Sequence, residues 1–314
     1  MQNIVITADT HFLMNKNLIV VTGTTAIGKT SLAIAIAKHL KCEIISADSR
    51  QFFKEMNIGT AVPSPEELAA IPHHFIQHRS IHEPYSVGDF EKDAMQLITS
   101  LFQANKNIVL VGGSGLYINA IVNGLDEFPE VDETTKSQIQ QLYNEKGITA
   151  LQEQLKLLDP MYYNKVDLLN THRVMRAVEV SLSSGQPYSS FLTKNKKTRP
   201  FKCIKIGLTA ERSIIYDRIN YRVDQMVNEG LVTEVSTLYE YRNLNALNTV
   251  GYKELFSYLD KKWELDFAIS EIKKNTRRFA KRQLTWFKKD KEITWFDIDT
   301  NREEILSFIE KNSL

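Results

Sequence analysis

The sequence predicts an α/β fold: a parallel sheet flanked by helices and carrying an inserted helical domain. Three observations support this. Short, continuous apolar runs alternate with helix-like stretches over residues 18–123, the pattern of parallel strands covered on both faces. Residues 23–30 read Gly-Thr-Thr-Ala-Ile-Gly-Lys-Thr between a strand-like and a helix-like run. That satisfies the phosphate-loop pattern G-x-x-x-x-G-K-[ST] in its proper context and makes the sheet P-loop NTPase-like. Third, from Asp132 to about Ser190 the β-branched runs vanish, and Gln, Glu, Lys and Leu dominate.

Taken in order, the first strand spans 18–22, followed by the glycine loop and a helix over 29–40. A second strand is expected at 43–47 and a third at 107–111, with helices at 89–104 and 115–123. Residues 59–88 are richer in Pro, His and Gly and read as an irregular loop. Helical periodicity at 134–143, 148–158 and 171–184 forms the insertion. Strand texture returns at 203–208 and 293–298, with helices at 211–228, 231–241, 251–260, 264–289 and 302–312. The domain plan is therefore 1–124 as the first part of the core, 125–200 as the insertion, and 201–314 as the rest of the core.

The chain has 314 residues, 43% of them hydrophobic, which is ample for a large core. A net charge of +1 announces no nucleic-acid partner. The charge is unevenly placed, however. Residues 272–291 hold nine Lys and Arg against one acid, Asp290, with Phe279, Trp286 and Phe287 interleaved. Such runs are usually solvated surface, but this density favours contact with an RNA or DNA backbone. A second cluster, Lys194, Lys196, Lys197 and Arg199, lies at the exit of the insertion. Cys42 and Cys203 are far apart and lack metal-ligand spacing, so reduced thiols in a cytoplasmic protein are expected. No run reaches transmembrane length, and Met1 to Asn17 lacks the features of a signal peptide.

Candidate chemistry sits at the strand ends. Gly23 and Gly28 let the backbone approach phosphate, Lys29 can reach terminal phosphates, and the Thr30 hydroxyl can ligate Mg²⁺. Asp48, after the second strand, reads equally as a metal ligand or general base and as a helix N-cap. The third strand ends Gly112-Gly113-Ser114-Gly115, where a nucleotide hydrolase commonly needs an acid to hold Mg²⁺. Arg218 and Arg222 are four apart on one helical face, a fork suited to oxyanions or a solvated surface. His73, His74, His78 and His82 lack partners for a metal site and are expected to be hydrogen-bonded loop residues.

Together these motifs resemble the tRNA dimethylallyltransferases, also called tRNA isopentenyl transferases. The matching segments are Gly23–Thr30, Asp48–Pro63, Pro72-His73-His74, Tyr85–Phe90, Gly112–Tyr117, Arg173–Glu179 and Lys281–Trp286. Arg222–Met226, Gly230-Leu231 and Val250–Lys253 continue in the same order. The chain departs from the pattern at Thr24, Ile27, Phe52-Phe53, Val62 and Ser114, none of which removes an expected catalytic group. The resemblance implies transfer of a dimethylallyl group from its diphosphate to the exocyclic amine of adenosine 37, in tRNAs reading codons that begin with U. The loop Gly23, Thr24, Thr25, Ala26, Ile27, Gly28, Lys29 and Thr30 would then hold a diphosphate and not a nucleotide. Asp48, Ser114 and Arg222 would be catalytic, with Mg²⁺ on Thr30. The anticodon stem-loop would be held by Asp48, Ser49, Arg50, Gln51, Lys136, His172, Arg173, Val174, Met175, Arg176, Arg277, Arg278, Lys281 and Arg282. The expected form is a cytoplasmic monomer with no membrane partner. The alternatives are an isopentenyltransferase acting on free adenine nucleotide, a P-loop small-molecule kinase, and an RNA-binding ATPase without transfer chemistry.

Overall fold

Leu18, Ile19, Val20 and Val21 are all fully buried, because the strand they form is covered on both faces. In the computed structural model, which describes residues 16–193 and 196–313, this strand, β1 (Asn17–Gly23), lies mid-sheet. Lys194 of the second basic cluster and the 1–15 segment lie outside the described residues. The other strands are β2 (Ile44–Ser46), β3 (His73–His74), β4 (Asn107–Val111), β5 (Lys202–Thr209) and β6 (Thr294–Asp297). Their order is β3-β2-β4-β1-β5-β6, and every pairing is parallel. Along the chain the helices are α1 (Lys29–Leu40), α2 (Pro65–Ala70), α3 (Val87–Ala104), α4 (Gly115–Asn123), α5 (Glu133–Leu158), α6 (Pro160–Tyr163), α7 (Thr171–Ser184), α8 (Arg212–Asn228), α9 (Leu231–Thr237), α10 (Tyr252–Leu259), α11 (Leu265–Phe287) and α12 (Arg302–Asn312).

Strand alternation sorts the core into two layers. Ile19, Val21, Val109 and Ile206 pack on Leu32 and Ile36 of α1, Ile219 of α8 and Ile309 of α12. Leu18, Val20, Ile108 and Leu110 face the other way, onto Phe90, Ile98 and Phe102 of α3 and Ile121 of α4. Each such side chain contributes roughly 1.5–3 kcal/mol by leaving water. A third cluster joins Val223, Leu231, Tyr252, Leu255 and Ile272 of α8 to α11 with Phe53 and Met56.

The chain divides into two units, one up to Asn123 together with Thr198 onward, the other Gly124–Lys197. The second unit has its own core of Ile139, Leu151, Leu155, Val174, Ala177 and Val178. The break expected between 143 and 148 falls at Gly147, whose φ of 70° and ψ of −170° interrupt α5. Residues 59–88 are less irregular than their composition suggests. They hold α2, opened by a Ser64/Glu67 capping box with Pro65 in its first turn, and the two-residue edge strand β3. The helix expected over 231–241 ends at Thr237 and gives way to a 3₁₀ turn over 239–241.

Candidate active site

Three loops leave the carboxyl ends of β1, β2 and β4, where open α/β sheets bind ligands. Close backbone approach holds them together. Ala47 N–H donates to the Val111 carbonyl at 2.7 Å and Gly112 N–H to the Val21 carbonyl at 3.2 Å. A Cβ on Gly112 would lie 2.3 Å from the Ala47 carbonyl oxygen, so only glycine allows the β2 and β4 ends to meet. Gly28, at φ 104°, starts α1 in the left-handed conformation that glycine adopts without strain.

Lys29 Nζ donates to the Thr24 carbonyl at 2.7 Å. Burial pulls its ammonium down to about 8; the Asp48 carboxylate opposes this and the Arg222 guanidinium adds to it. The arginine fork is split. Arg218 Nε donates to the Ala26 carbonyl at 2.8 Å and braces the loop from outside. Arg222 makes no hydrogen bond among the described residues, so its head is available to a ligand. Burial lowers its pKa, with Asp48 opposing.

Two adjoining cavities result. The larger, about 670 Å³, takes in Asp48, Ser49, Ser114 and Arg222, with Ile219, Val223, Met226, Phe279 and Trp286 as an apolar wall. The smaller, about 80 Å³, takes in Lys29 and Thr30. Thr25, Asp48, Thr60, Arg222, Phe279 and Gln283 line both and form the partition. Asp48 therefore stands where the two compartments join. No helix begins there: residues 49–52 are a turn, closed by Arg50 N–H donating to Asp48 Oδ1 at 3.1 Å.

Ser49 N–H donates to Ser114 Oγ at 3.0 Å, and the two hydroxyls are 3.1 Å apart. Arg50 and Gln51 brace the protein itself. Arg50 Nη1 donates to the carbonyls of Asn245 and Ala246, at 3.1 and 2.8 Å. Gln51 Nε2 donates to the Ala61 carbonyl at 2.8 Å. Behind Thr60, the Glu234 carboxylate accepts the consecutive N–H groups of Asn57, Ile58 and Gly59 and the Tyr252 hydroxyl.

The basic run lies on α11 and just beyond it. Arg278, Lys281, Arg282, Lys288 and Lys289 are exposed, and Arg282 lies over the Phe279 ring. Arg277 is instead tied to Asn220 Oδ1 at 2.7 Å, and Lys273 to Asp224 at 2.6 Å. Of the second cluster, Arg199 and Lys197 are engaged within the protein. Arg199 is only 11% exposed, grips Glu91 at 2.7 Å and donates to the Ala120 and Ile121 carbonyls; Lys197 pairs with Glu127.

In the insertion, His172 and Arg173 are exposed, and His172, Met175 and Arg176 line a shallow groove with Gln140 and Tyr143. Arg176 is 3.9 Å from Glu179, and Lys136 pairs with Glu133. Val174 is fully buried. Its place on the inward face of α7 leaves no surface to offer RNA, which corrects its expected contact.

Sequence reasoning missed Gln283 as a polar group. It is 6% exposed; its Oε1 accepts from Thr25 N–H at 2.8 Å and its Nε2 donates to the Gly113 carbonyl at 2.9 Å. The helical period puts residue 283 on the inward stripe, and a glutamine there was the available signal. The histidine expectation needs correcting at two positions, His78 and His82, the latter an exposed ring that makes only an edge contact with Tyr241 among the described residues. His73 and His74 are hydrogen-bonded, to the Ile71 carbonyl and to Glu43. His78 has no partner for either ring nitrogen and packs edge-on against Phe52, Phe75 and Tyr85. Among the described residues no three of His, Cys, Asp and Glu converge as a metal cage, and no helix is long and apolar enough to cross a membrane. Both cysteines are free; burial raises the Cys42 thiol to about 12 and Cys203 to about 11.

Comparison with known proteins gives a consistent result. The sequence model of a family described as IPP transferase matches residues 51–290. A relative from Christiangramia forsetii named tRNA dimethylallyltransferase is 59% identical over 297 residues, covering 95% of this chain and 98% of its own. A solved tRNA isopentenylpyrophosphate transferase from Bacillus halodurans superposes with a TM-score of 0.71 at 39% identity, covering 95% of this chain and 96% of that one. A eukaryotic dimethylallyltransferase solved acting on tRNA gives a TM-score of 0.78 at 26% identity, over 94% and 80% of the two chains.

Proposed function

The chain belongs to the IPP transferase family, and we propose that it transfers a dimethylallyl group from dimethylallyl diphosphate to the exocyclic amine of adenosine 37 in tRNAs reading codons that begin with U. The observation that carries this reading is the partition. Asp48 and Arg222 line both the phosphate-loop compartment and the larger cleft. A diphosphate held by the loop would present its C1 carbon at that junction, and an adenine entering the cleft would present its amine there.

The chemistry follows from the residues. The adenine amine is a weak nucleophile because its lone pair is delocalised into the ring. As its nitrogen bonds to C1, the C1–O bond to diphosphate breaks, and the Asp48 carboxylate accepts the proton the nitrogen sheds. Charge developing on the leaving oxygens meets Lys29, the unpartnered Arg222 head and the loop amides. Ser114 Oγ accepts from Ser49 N–H, and its second lone pair would accept an N–H of the adenine amine and so orient it without occupying the attacking lone pair. The residues also fit Mg²⁺. Thr30 offers a hydroxyl with no side-chain hydrogen bond among the described residues, beside Asp48 in the smaller cavity. An oxygen-ligated ion completed by diphosphate and water needs no protein cage. When bound it would add positive charge at the leaving group.

The target base must leave the anticodon stack to reach the partition. Exposed Arg278, Lys281 and Arg282 on α11 support an RNA backbone as the partner, above a free adenine nucleotide. The Gly-Gly-Ser end of β4, without an acid, speaks against a kinase. The test is to offer labelled dimethylallyl diphosphate with unmodified tRNA, with AMP, or with neither. Label entering tRNA at adenosine 37 is expected. Label in AMP alone, or ATP consumption without transfer, would overturn the reading. Asp48→Ala should abolish transfer with tRNA binding retained; near-native turnover would remove Asp48 as the base.

A further inference from the structure

The glutamine between the two compartments is placed to do more than fill space. Gln283 belongs to the same helix as the exposed Arg278, Lys281 and Arg282, and directly follows the last of these. Its amide orientation is fixed by its partners, since an N–H points at Oε1 and a carbonyl lies against Nε2. One side chain therefore ties α11 to the phosphate loop at Thr25 and to the β4 end at Gly113. The fit is tight: a Cβ on Gly113 would lie 2.4 Å from Gln283 Nε2 and 3.8 Å from Lys29 Nζ. One turn on, Trp286 presses against Gly115, where a Cβ would lie 2.3 Å from the indole. The helix carrying the basic surface is thus pinned twice to the β4 end and once to the loop that cradles phosphate.

We propose that Gln283 is a positioning residue that couples RNA contact on α11 to the conformation of the diphosphate loop. RNA phosphates on Arg278, Lys281 and Arg282 would restrain α11, and the bridge would pass that restraint to Thr25 and Gly113. A loop already restrained loses less conformational freedom on binding diphosphate. The two ligands then strengthen each other, by the same factor in either direction.

The inference rests on the proposed reaction, and the experiment separates the two. Calorimetry would measure the affinity of a non-transferable thio analogue of dimethylallyl diphosphate, with and without a synthetic anticodon stem-loop. In the native protein the stem-loop should tighten the analogue on the order of tenfold. In Gln283→Leu, which keeps the volume and loses both hydrogen bonds, the factor should fall to about one. Gln283→Asn keeps the amide but is too short to span both partners, and should behave alike if the leucine variant does not fold. A merely structural role would weaken both separate affinities and leave the factor unchanged. Native-like coupling in either folded variant, or no coupling in the native protein, overturns the inference. Failure of the native protein to bind either ligand overturns the proposed reaction instead.

Discussion

Lys29 titrates within reach of ordinary buffers, which makes the charge of the loop measurable. Burial holds its ammonium at about 8, and the Asp48 carboxylate limits the fall. A diphosphate that binds only the charged form has its affinity divided by one plus the ratio of neutral to charged lysine. That divisor is roughly 1.1 near pH 7, about 2 near pH 8 and about 11 near pH 9. The Kd of the thio analogue should therefore rise about tenfold from about pH 7 to about pH 9, most of it above pH 8. Calorimetry without tRNA reads this directly. Lys29→Arg should flatten the profile, because a guanidinium stays charged throughout. Asp48→Asn should start the rise at lower pH, because it removes the carboxylate that holds the proton on Lys29. A flat native profile would refute the argument, as would an Asp48→Asn profile displaced to higher pH.

Arg278→Glu should weaken tRNA binding and reduce the slope of log affinity against log salt by about one; filter binding across a salt series reads both, and unchanged low-salt affinity would exclude that face. His78 is held at about 4, first by burial and then by Arg79. The unfolded chain therefore binds a proton that the folded protein refuses, so stability is whole above about pH 6.5 and falls progressively as the pH drops toward about 4. Denaturant midpoints of His78→Phe should lack that contribution, and an identical pH dependence would refute it. Gly112→Ala puts a Cβ 2.3 Å from the Ala47 carbonyl and should destabilise by about 1–3 kcal/mol while spreading the two strand ends; native melting and activity would contradict the close approach.

What the sequence disclosed depended on how local each interaction is. β1 and β4 were legible because burial on both faces leaves an unalternated apolar run of strand length. The phosphate loop was legible because its glycines answer to local backbone geometry. β3 was not, since two edge residues after a proline carry no periodicity; the start of α2 is marked locally, by the Ser64/Glu67 capping box. In the site, Asp48 and Ser114 could be named from the strand ends that carry them. The Gln283 bridge could not, because its partners lie 258 and 170 residues away in the chain. Arg50, Gln51, Arg199 and Arg277 each carry polar groups that look outward in the sequence and turn inward in the fold. A residue type states what a group can bond, and only packing states what it meets.

The Glu234 carboxylate has a consequence for where phosphate can settle. Three successive amides at Asn57, Ile58 and Gly59 form a second anion seat in the protein, behind Thr60 in the cleft wall. That seat is taken by the protein's own carboxylate, locked by the Tyr252 hydroxyl. Those N–H groups are spent inside the protein and are not open to an outside anion. The turn at 57–59 thus keeps its amides for the protein's own carboxylate, whereas no carboxylate among the described residues accepts from the amides of the loop at 23–30.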